Sequence, residues 1–490
     1  MKRLLSVLIV LLLGAVTSAQ TTVTDDMLTE FEQLVADEMA YFDIPGVAIA
    51  VIQGDEVIYA QGFGLRDVEA GEPFTTETQF RIGSTTKSMT SLLMAQMVDE
   101  GLLTWDTPVT DLFPDFTTAD PELAAQITVR DLMGMDTGLV SNTLSSLQWV
   151  DWDINSLLSD IGMMTIGGDF GDFYSYNNEV YALAGYAAVA SNGSEPTLDN
   201  YVALLESNVF DAIGMESAII TDDMSQLSDN YAESYEMGLF TGELSRMINP
   251  PIAFIAPAGG VWVNIEDMAR YVITQMNGGV TPEGERIVNA ETLAETWQPG
   301  VLLGDESPLM ENTAYGMGWV SQTYAGVPVL FHDGGWAGYS TQMFTLPEDE
   351  LAIIIFTNGS YGSLFGNMLN YAFVELVHDL EPQSVAQFHA VMDDINSQIS
   401  QIQTFISLDL GDVSAYVGEY EGGWTVEQRE GDTLWLTGHG WEFQLAYFAL
   451  LDQYMVINNG GLGTTLTLDG ETLSILISET ETVDFAKLDS

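Results

Sequence analysis

The sequence predicts an α/β chain of the α+β type: an antiparallel sheet flanked by helices, a helical subdomain, and then a small all-β, barrel-like domain. Two changes in hydrophobic period indicate this order. Apolar residues recur at helical spacing in much of the first 300 residues, whereas residues 318–357 alternate with period two, as in an antiparallel meander. From residue 413 onward, short apolar runs separated by Gly-rich turns predict the all-β domain.

The elements of the first domain follow from local patterns. Helical spacing and stop signals predict three helices, at 25–41, 88–100 and 181–190. Apolar runs around Gly54-Asp55 predict a hairpin of strands 47–52 and 57–59. Four further strands are predicted at 318–324, 327–331, 339–346 and 351–357, with His332-Asp333-Gly334-Gly335 between the second and the third.

These patterns divide the chain into four segments. A polar stretch with helical spacing, at 382–405, separates the sheet-forming part from the all-β part. The predicted segments are a signal peptide at 1–19, a main domain at 20–380, a linking helix at 381–409 and a C-terminal β-domain at 410–490.

The first 19 residues have the pattern of a secretory signal. Two basic residues precede the apolar run 4–16, and small residues at Thr17 and Ala19 predict cleavage after Ala19. A membrane anchor is the alternative, but the run is short for a membrane span. We therefore expect an exported protein, secreted or periplasmic, without a membrane span in its mature form.

The composition excludes several functions. Seventy-two acidic residues against 11 basic ones give a formal net charge of −61, which disfavours nucleic acid, anionic membranes and polyanionic substrates. The chain has no cysteine, and its four histidines are far apart in sequence, so we expect no metal and no cofactor. The acidity indicates adaptation either to high salt or to acid, and the sequence leaves both open.

Ser84 and Lys87 form the most informative pair in the sequence. They are three residues apart at the start of a predicted helix, so they lie about one turn apart on one face. A lysine with a lowered pKa can take the proton of a serine nucleophile. The chain has three lysines, Lys2, Lys87 and Lys487, and Lys87 alone lies within the main domain. The alternative is an ordinary surface lysine that meets a serine by chance.

Two further motifs lie later in the chain. Tyr176 and Asn178 stand on a loop before an apolar helix, where they could enter a cleft; the alternative is an asparagine that only caps the helix. His332 is followed by Gly334 and Gly335, and glycines beside a strand permit close approach of a ligand. The alternative for His332 is a hydrogen-bonded histidine at the end of a strand.

The three motifs in this order, Ser84-x-x-Lys87, Tyr176-x-Asn178 and His332-x-Gly334, resemble those of serine β-lactamases and penicillin-binding-protein-like hydrolases. The likeness is to the class C and D-aminopeptidase/esterase branch and spans about residues 28–375. It includes the turn 257–260, the segment 315–319 and Asn358. The stretch 416–420 resembles the start of the lipocalin-like β-domain of some of these hydrolases.

The resemblance implies a role for each matching residue. Ser84 would be the nucleophile that forms the acyl-enzyme, and Lys87 and Tyr176 would share the work of general base. Asn178 would orient the substrate and Lys87, and His332-x-Gly334 would line the substrate site. The backbone N–H groups of Ser84 and Gly335 would form the oxyanion hole.

Two departures from the family pattern bear on the substrate. His332 stands where class C β-lactamases have the lysine of Lys-Thr-Gly, so efficient turnover of penicillins is not expected. Residues 132–138 also differ from the family's usual Leu-Leu-x-His-x-Ser-Gly, so this segment is not expected to hold the active-site residues in place as it does in the family. No Gly-x-Ser-x-Gly motif is present, which disfavours an ordinary lipase.

The sequence therefore predicts an exported serine hydrolase that acts on small amides or on peptides, including peptides with D-residues. Small-ester hydrolysis or weak β-lactamase activity is the alternative within the same class. A sensor that is acylated and holds its ligand is the alternative of another class, and a structural extracellular protein is a third. The expected partner is a small-molecule or peptide substrate, and an oligomer is compatible with the sequence.

The charge predicts how stability responds to the solvent. Because salt screens the repulsion among 72 carboxylates and mild acid neutralises part of them, both should raise the melting temperature and the activity. Thermal melting in 0.1 M and in molar KCl, each at neutral and mildly acidic pH, measures this. Melting temperatures that are the same under all four conditions would contradict the prediction.

Overall fold

The structure is a computed structural model that describes residues 21–141, 152–238, 240, 242–304, 309–458, 464–478 and 481–488. The predicted signal peptide at 1–19 lies outside these residues, so its cleavage and the export of the protein stay predictions. Within the described ranges, no helix has the length and apolar character needed to cross a membrane.

Fourteen α-helices are present in the described part of the chain. They are α1 Asp25–Tyr41, α2 Thr86–Asp99, α3 Val109–Leu112, α4 Pro121–Ala124, α5 Val129–Gly134, α6 Ile154–Met163, α7 Asn178–Ser191, α8 Leu198–Leu205, α9 Asp211–Ile213, α10 Ala256–Gly259, α11 Ile265–Met276, α12 Ala290–Glu295, α13 Gly362–Val377 and α14 Ser384–Gln403.

The same residues contain 25 strands. Those of the first 405 residues are β1 Gly46–Gln53, β2 Glu56–Asp67, β3 Glu72–Pro73, β4 Phe80–Arg81, β5 Leu139–Val140, β6 Thr165–Ile166, β7 Ile219–Ile220, β8 Tyr235–Met237, β9 Leu244–Arg246, β10 Val261–Val263, β11 Val301–Leu302, β12 Met310–Tyr315, β13 Val320–Tyr324, β14 Val327–Trp336, β15 Tyr339–Leu346 and β16 Leu351–Thr357. Those of the C-terminal part are β17 Ile406–Ser407, β18 Gly418–Tyr420, β19 Trp424–Arg429, β20 Thr433–Gly438, β21 Trp441–Phe448, β22 Gln453–Val456, β23 Thr465–Leu468, β24 Thr472–Ser478 and β25 Glu481–Ala486.

A nine-stranded antiparallel sheet divides the main domain into two hydrophobic cores. Its order is β11-β12-β13-β14-β15-β16-β1-β2-β3, so the N-terminal hairpin completes a sheet begun by later strands. Side chains of β1 alternate between the cores: Val47 and Ile49 pack with α1 and α13, whereas Ala48 and Ala50 face α2, α7 and α11. Both faces are covered, which explains why β1 is apolar throughout.

The C-terminal strands form a separate sheet that nearly closes on itself. Neighbours run from β18 to β25 in sequence order, with β17 against β21, and a bridge between Tyr420 and Lys487 joins the first strand to the end of the last. The interior is apolar, with Trp424 and Val426 fully buried. The predicted fold class, an α+β domain followed by a small barrel-like β-domain, is thus confirmed.

Several element boundaries differ from the sequence prediction. The prediction that His332-Asp333-Gly334-Gly335 lies between two strands was wrong, because β14 continues to Trp336 and pairs Gly334 with Thr341 and Gly335 with Ser340. The second strand of the hairpin is also longer than predicted and continues to Asp67. Both errors arose where glycines interrupt the apolar pattern of the sequence although the strand pairing continues through them.

The turn that carries Ser84 lies directly against β14. Residues Gly83–Thr85 form a 3-10 turn before α2, and Gly83 has a φ of 52°, which favours glycine. A Cβ atom on Gly334 would lie 2.0 Å from the carbonyl oxygen of Ile82, and one on Gly83 would lie 2.7 Å from the nitrogen of Gly335. The missing side chains therefore allow the turn and the strand to approach.

The close approach of the turn and the strand predicts different outcomes for alanine substitutions at two adjacent glycines. Gly334→Ala forces the strand from the turn and should lower the free energy of unfolding by about 1–3 kcal/mol. Gly335→Ala is the matched control, because the nearest atom to its Cβ would be 3.8 Å away and the added methyl group fits. Chemical denaturation measures both, and equal stability of the two variants would contradict the assigned packing.

Candidate active site

Ser84 is partly exposed in an otherwise buried segment. All residues from Thr78 to Met97 are buried except Ser84. The Nζ atom of Lys87, which is itself fully buried, lies 3.2 Å from Ser84 Oγ. The structure thus brings together the serine and the lysine that the sequence singled out.

In addition to its contact with Ser84, the amine of Lys87 is held by two acceptors. Asn178 Oδ1 lies 2.7 Å from Nζ, and the carbonyl oxygen of Ala258, on α10, lies 2.9 Å from it. Both atoms can only accept hydrogen bonds. A neutral amine has two N–H groups and one lone pair, so these acceptors occupy the N–H groups and leave the lone pair for the hydroxyl of Ser84.

Burial favours the neutral form of this amine. Desolvation lowers the pKa of Lys87 well below its usual value, although the negative charges of Asp333 and Glu179 oppose the shift. Burial is the largest of these contributions, so it outweighs the opposing effect of the two carboxylates.

Tyr176 lies beside the same two residues. About 37% of the residue is exposed, while its ring covers Lys87, with Nζ 4.6 Å from the ring centroid. Its hydroxyl is hydrogen bonded to Ser84, and desolvation of that end raises the pKa of Tyr176 above the usual value. The phenol therefore stays protonated at neutral pH and is suited to pass on a proton rather than to act as the first base.

The two asparagines at the N-terminus of α7 have different tasks. Asn178 was predicted on the loop before the helix, but it is the first residue of α7, and Asn177 is the capping residue. The side chain of Asn177 caps the helix by accepting from the backbone N–H of Val180 at 3.0 Å, while Asn178 reaches Lys87. Both interpretations of this segment therefore apply, each to a different asparagine. The carbonyl of Met135 accepts from the N–H of Ser175 at 2.9 Å, so the atypical stretch 132–138 still supports the loop.

His332 is buried behind the site and contacts Tyr315. Its Nε2 lies 3.0 Å from the Tyr315 hydroxyl, and its Nδ1 lies 2.5 Å from the carbonyl oxygen of Asp333. These contacts fit the tautomer with the proton on Nδ1, so that Tyr315 donates to Nε2. Burial lowers the pKa of His332 to about 4, and the imidazole is neutral above that pH. Its role in binding substrate stays a prediction.

The backbone around Gly335 and Ser84 fits the position predicted for an oxyanion hole. Gly335 is exposed and pairs with Ser340, and the Ser84 turn lies against its backbone. Gly334, by contrast, is buried under the turn. This arrangement places two backbone segments next to the serine, and their donor role remains a prediction.

Glu179 is a buried acid that sequence reasoning missed. It follows Asn178 in α7, and its Oε2 accepts a hydrogen bond from Ser141 at 2.8 Å, while Oε1 is unpartnered in the described part of the chain. Burial raises the pKa of Glu179 to about 7; Asp160 adds to this, while Ser141 and Lys87 oppose it. The sequence carried one signal, an acid in the first turn of an otherwise apolar helix.

The site contains other groups that the sequence did not assign. The Ala258 carbonyl belongs to a predicted turn, but a backbone atom leaves no mark in residue type. Tyr315 belonged to the resembling segment without a stated role. Across the described residues, no group of three or more His, Cys, Asp or Glu side chains could hold a metal ion.

Comparison with known proteins shows the family to which the chain belongs. The profile of the Beta-lactamase family matches residues 31–375, and the chain belongs to that family. Penicillin-binding protein 4 of Amycolatopsis lactamdurans is 26% identical over 69% of this chain and 86% of its own length. The D-aminopeptidase of Gluconobacter oxydans is 23% identical over 68% of this chain and 60% of its own length.

Two further similarities extend beyond the matched domain. An unguisins hydrolase of Aspergillus campestris is 22% identical over 84% of this chain and 78% of its own length. The structure of the octameric penicillin-binding protein homologue from Pyrococcus abyssi aligns with a TM-score of 0.63 and 20% identity, and covers 94% of this chain and 100% of that one. The fold resembles that structure over nearly its whole length, including the C-terminal β-domain.

The buried Glu179 predicts a pH-dependent difference in stability. Because its pKa in the folded protein is about 7, above that of an exposed glutamate, folding retains its proton and stability falls as pH rises from about 4.5 to 7. Glu179→Gln removes this cost while keeping an oxygen for Ser141. The variant should be more stable than the wild type by roughly 1–3 kcal/mol at pH 8, and the difference should shrink at pH 5.

Denaturation of both proteins at pH 5 and pH 8 measures this difference. Glu30→Gln, on the exposed face of α1, serves as the control for the loss of one negative charge. A difference between the Glu179 variant and the wild type that is the same at both pH values would contradict the prediction.

Proposed function

We propose that this chain is an exported serine hydrolase that forms an acyl-enzyme at Ser84 with small amides or peptides. The observation that supports this most directly is the amine of Lys87. Its two acceptors, Asn178 Oδ1 and the Ala258 carbonyl, leave the lone pair for Ser84, and burial lowers its pKa. Membership of a family with hydrolase relatives supports the same reaction class.

The acylation step follows from these positions. Ser84 Oγ attacks the substrate carbonyl carbon while its proton moves to Lys87 Nζ. The resulting oxyanion would accept hydrogen bonds from the N–H groups of Ser84 and Gly335. When the carbon–leaving-group bond breaks, the leaving group takes the proton from Lys87 by way of the Tyr176 hydroxyl.

Deacylation reverses these roles. A water molecule gives its proton through Tyr176 to Lys87 and attacks the acyl carbon. Its oxygen forms the new bond, the bond to Ser84 Oγ breaks, and Ser84 recovers a proton from Lys87. Peptides with D-residues are the first substrate class to test, because a D-aminopeptidase and penicillin-binding proteins are among the relatives.

Two other functions remain as alternatives. Small esters are the second substrate class, because the same acyl transfer is easier with a better leaving group. A sensor would use the same acylation but would hold the acyl group. The lifetime of the adduct distinguishes the two, because a hydrolase restores free Ser84.

The proposal predicts the labelling of one serine. Wild-type protein treated with a fluorophosphonate should gain one adduct by intact-mass spectrometry, and Ser84→Ala should gain none. Lys87→Ala should fold, yet label and turn over substrate roughly 10²- to 10⁴-fold more slowly, because the general base is gone. Lys487→Ala is the matched control, since that lysine lies in the C-terminal domain.

Three results would count against the proposal. Labelling of Ser84→Ala would place the nucleophile elsewhere, and Lys87→Ala activity within a few-fold of the wild type would remove Lys87 from the reaction. A stable adduct with a small ester or a penicillin, with no return of the unmodified mass, would favour the sensor.

A further inference from the structure

A cavity of about 610 Å³ lies beside the proposed oxyanion strand. One wall is the end of β14, including Asp333 and Gly335. Ser363 of α13 and Asn396 of α14 form another wall, and Ile457 of the C-terminal domain contributes to the rim. The volume suits a substrate side group, and Gly335 belongs both to the cavity and to the proposed oxyanion hole.

Asp333 presents an unpaired carboxylate in this cavity. In the register of the sheet, Asp333 on β14 lies opposite Gln342 on β15, so both side chains point to the same face. This face packs on α13, because the Gln342 side chain accepts a hydrogen bond from Asn370 at 3.1 Å. Within the described ranges, the Asp333 carboxylate has no hydrogen-bond or ion-pair partner. Its negative charge also opposes the lowering of the Lys87 pKa by burial.

Among the described residues, no lysine or arginine forms an ion pair with Asp333. Arg246, on the strand next to the cavity wall, is bound by Asp67, Glu69 and Glu233 at 2.8–3.0 Å. Arg81 is buried and paired with Asp222 at 2.7 Å. In the described part of the chain, the residues that line the cavity include no lysine or arginine, and they include a second acid, Glu236.

We propose that this cavity receives a cationic group of the substrate, an ammonium or a guanidinium, with Asp333 as its counter-charge. This inference rests on the proposed acyl transfer at Ser84 and names the substrate class for that site. Asp333 would make the site selective in both directions, because it attracts a cation and repels a carboxylate at the same position. His332 is neutral above about pH 4 and supplies no opposing charge.

The position of Asp333 on β14 supports a role in substrate specificity rather than in the acyl transfer itself. Asp333 and His332 are adjacent on β14, so their side chains point to opposite faces of the sheet. His332 faces Tyr315 and the Ser84 side, whereas Asp333 faces α13 and the cavity. Removal of the Asp333 carboxylate should therefore change which substrates bind while Ser84 remains reactive.

The test uses arylboronic acids, which bind reversibly to a reactive serine and need no turnover. Three phenylboronic acids that carry a meta aminomethyl, ethyl or carboxyl group compete with the fluorophosphonate for Ser84 in the full-length protein. For the wild type, we expect the aminomethyl compound to bind roughly tenfold tighter than the ethyl compound, and the carboxyl compound to bind weakest. A difference of roughly tenfold is the size expected for one ion pair with Asp333 that is partly screened by solvent.

Asp333→Asn should reduce the preference for the cation to within about twofold, while the fluorophosphonate still labels Ser84. Asp55→Asn is the matched control. Asp55 lies in the turn after the C-terminal end of β1, whereas the N-terminal end of β1 is the end near the cavity, through the pairing of Thr357 with Ser340. The variant removes one negative charge far from the cavity and should leave the preference unchanged. Molar KCl should weaken the preference of the wild type.

The outcomes separate this inference from the proposed function. Absence of fluorophosphonate labelling would overturn the acyl transfer itself. Normal labelling with no order by charge among the three boronic acids, or with an unchanged preference in Asp333→Asn, would overturn the role of Asp333 alone.

Discussion

The burial of a single amine is the constraint on which the site depends. Lys87 is enclosed by a carbonyl from α10, an amide from the start of α7 and the hydroxyl of Ser84. Burying a charged ammonium is costly, so this environment selects the neutral amine. The same burial requires α2, α7 and α10 to stay packed together. The chemistry of Ser84 and the stability of the helical core are therefore linked through one side chain.

Strand β14 connects this core to the sheet. Its glycines let the Ser84 turn approach the backbone, and its flanking side chains serve opposite faces. His332 supports Tyr315 on one face, while Asp333 faces the cavity on the other. A strand of ten residues thus contributes to packing, to the proposed oxyanion site and to the proposed selectivity.

The sequence predicted the fold class because the relevant signals are local. The strand-forming runs of β15 and β16 and the amphipathic pattern of α1 each reflect burial of one segment, and the predicted bounds of these three elements agree with the structure. The order of the nine strands could not be derived in this way, because it depends on β1 joining β16 across 300 residues.

The site was predictable to the extent that it is made of side chains in recognisable motifs. Ser84, Lys87, Tyr176 and Asn178 were singled out from spacing and resemblance, and the structure brings them together. The carbonyl of Ala258 was not, since any residue type supplies the same atom. Glu179 and Asp333 were also missed, because their importance comes from burial and from unpaired charge, which only tertiary contacts define.

The walls of the cavity come from distant parts of the chain: β8, β14, α13, α14 and Ile457 of the C-terminal domain. The hydrogen bonds of the Lys87 amine involve neither α14 nor the C-terminal domain. Divergence of those two segments can therefore alter the accepted substrate without disturbing the bond-breaking groups. Homologous chains with the same serine and lysine could then hydrolyse different substrates. The C-terminal β-domain would be one of the places where substitutions change substrate specificity during evolution.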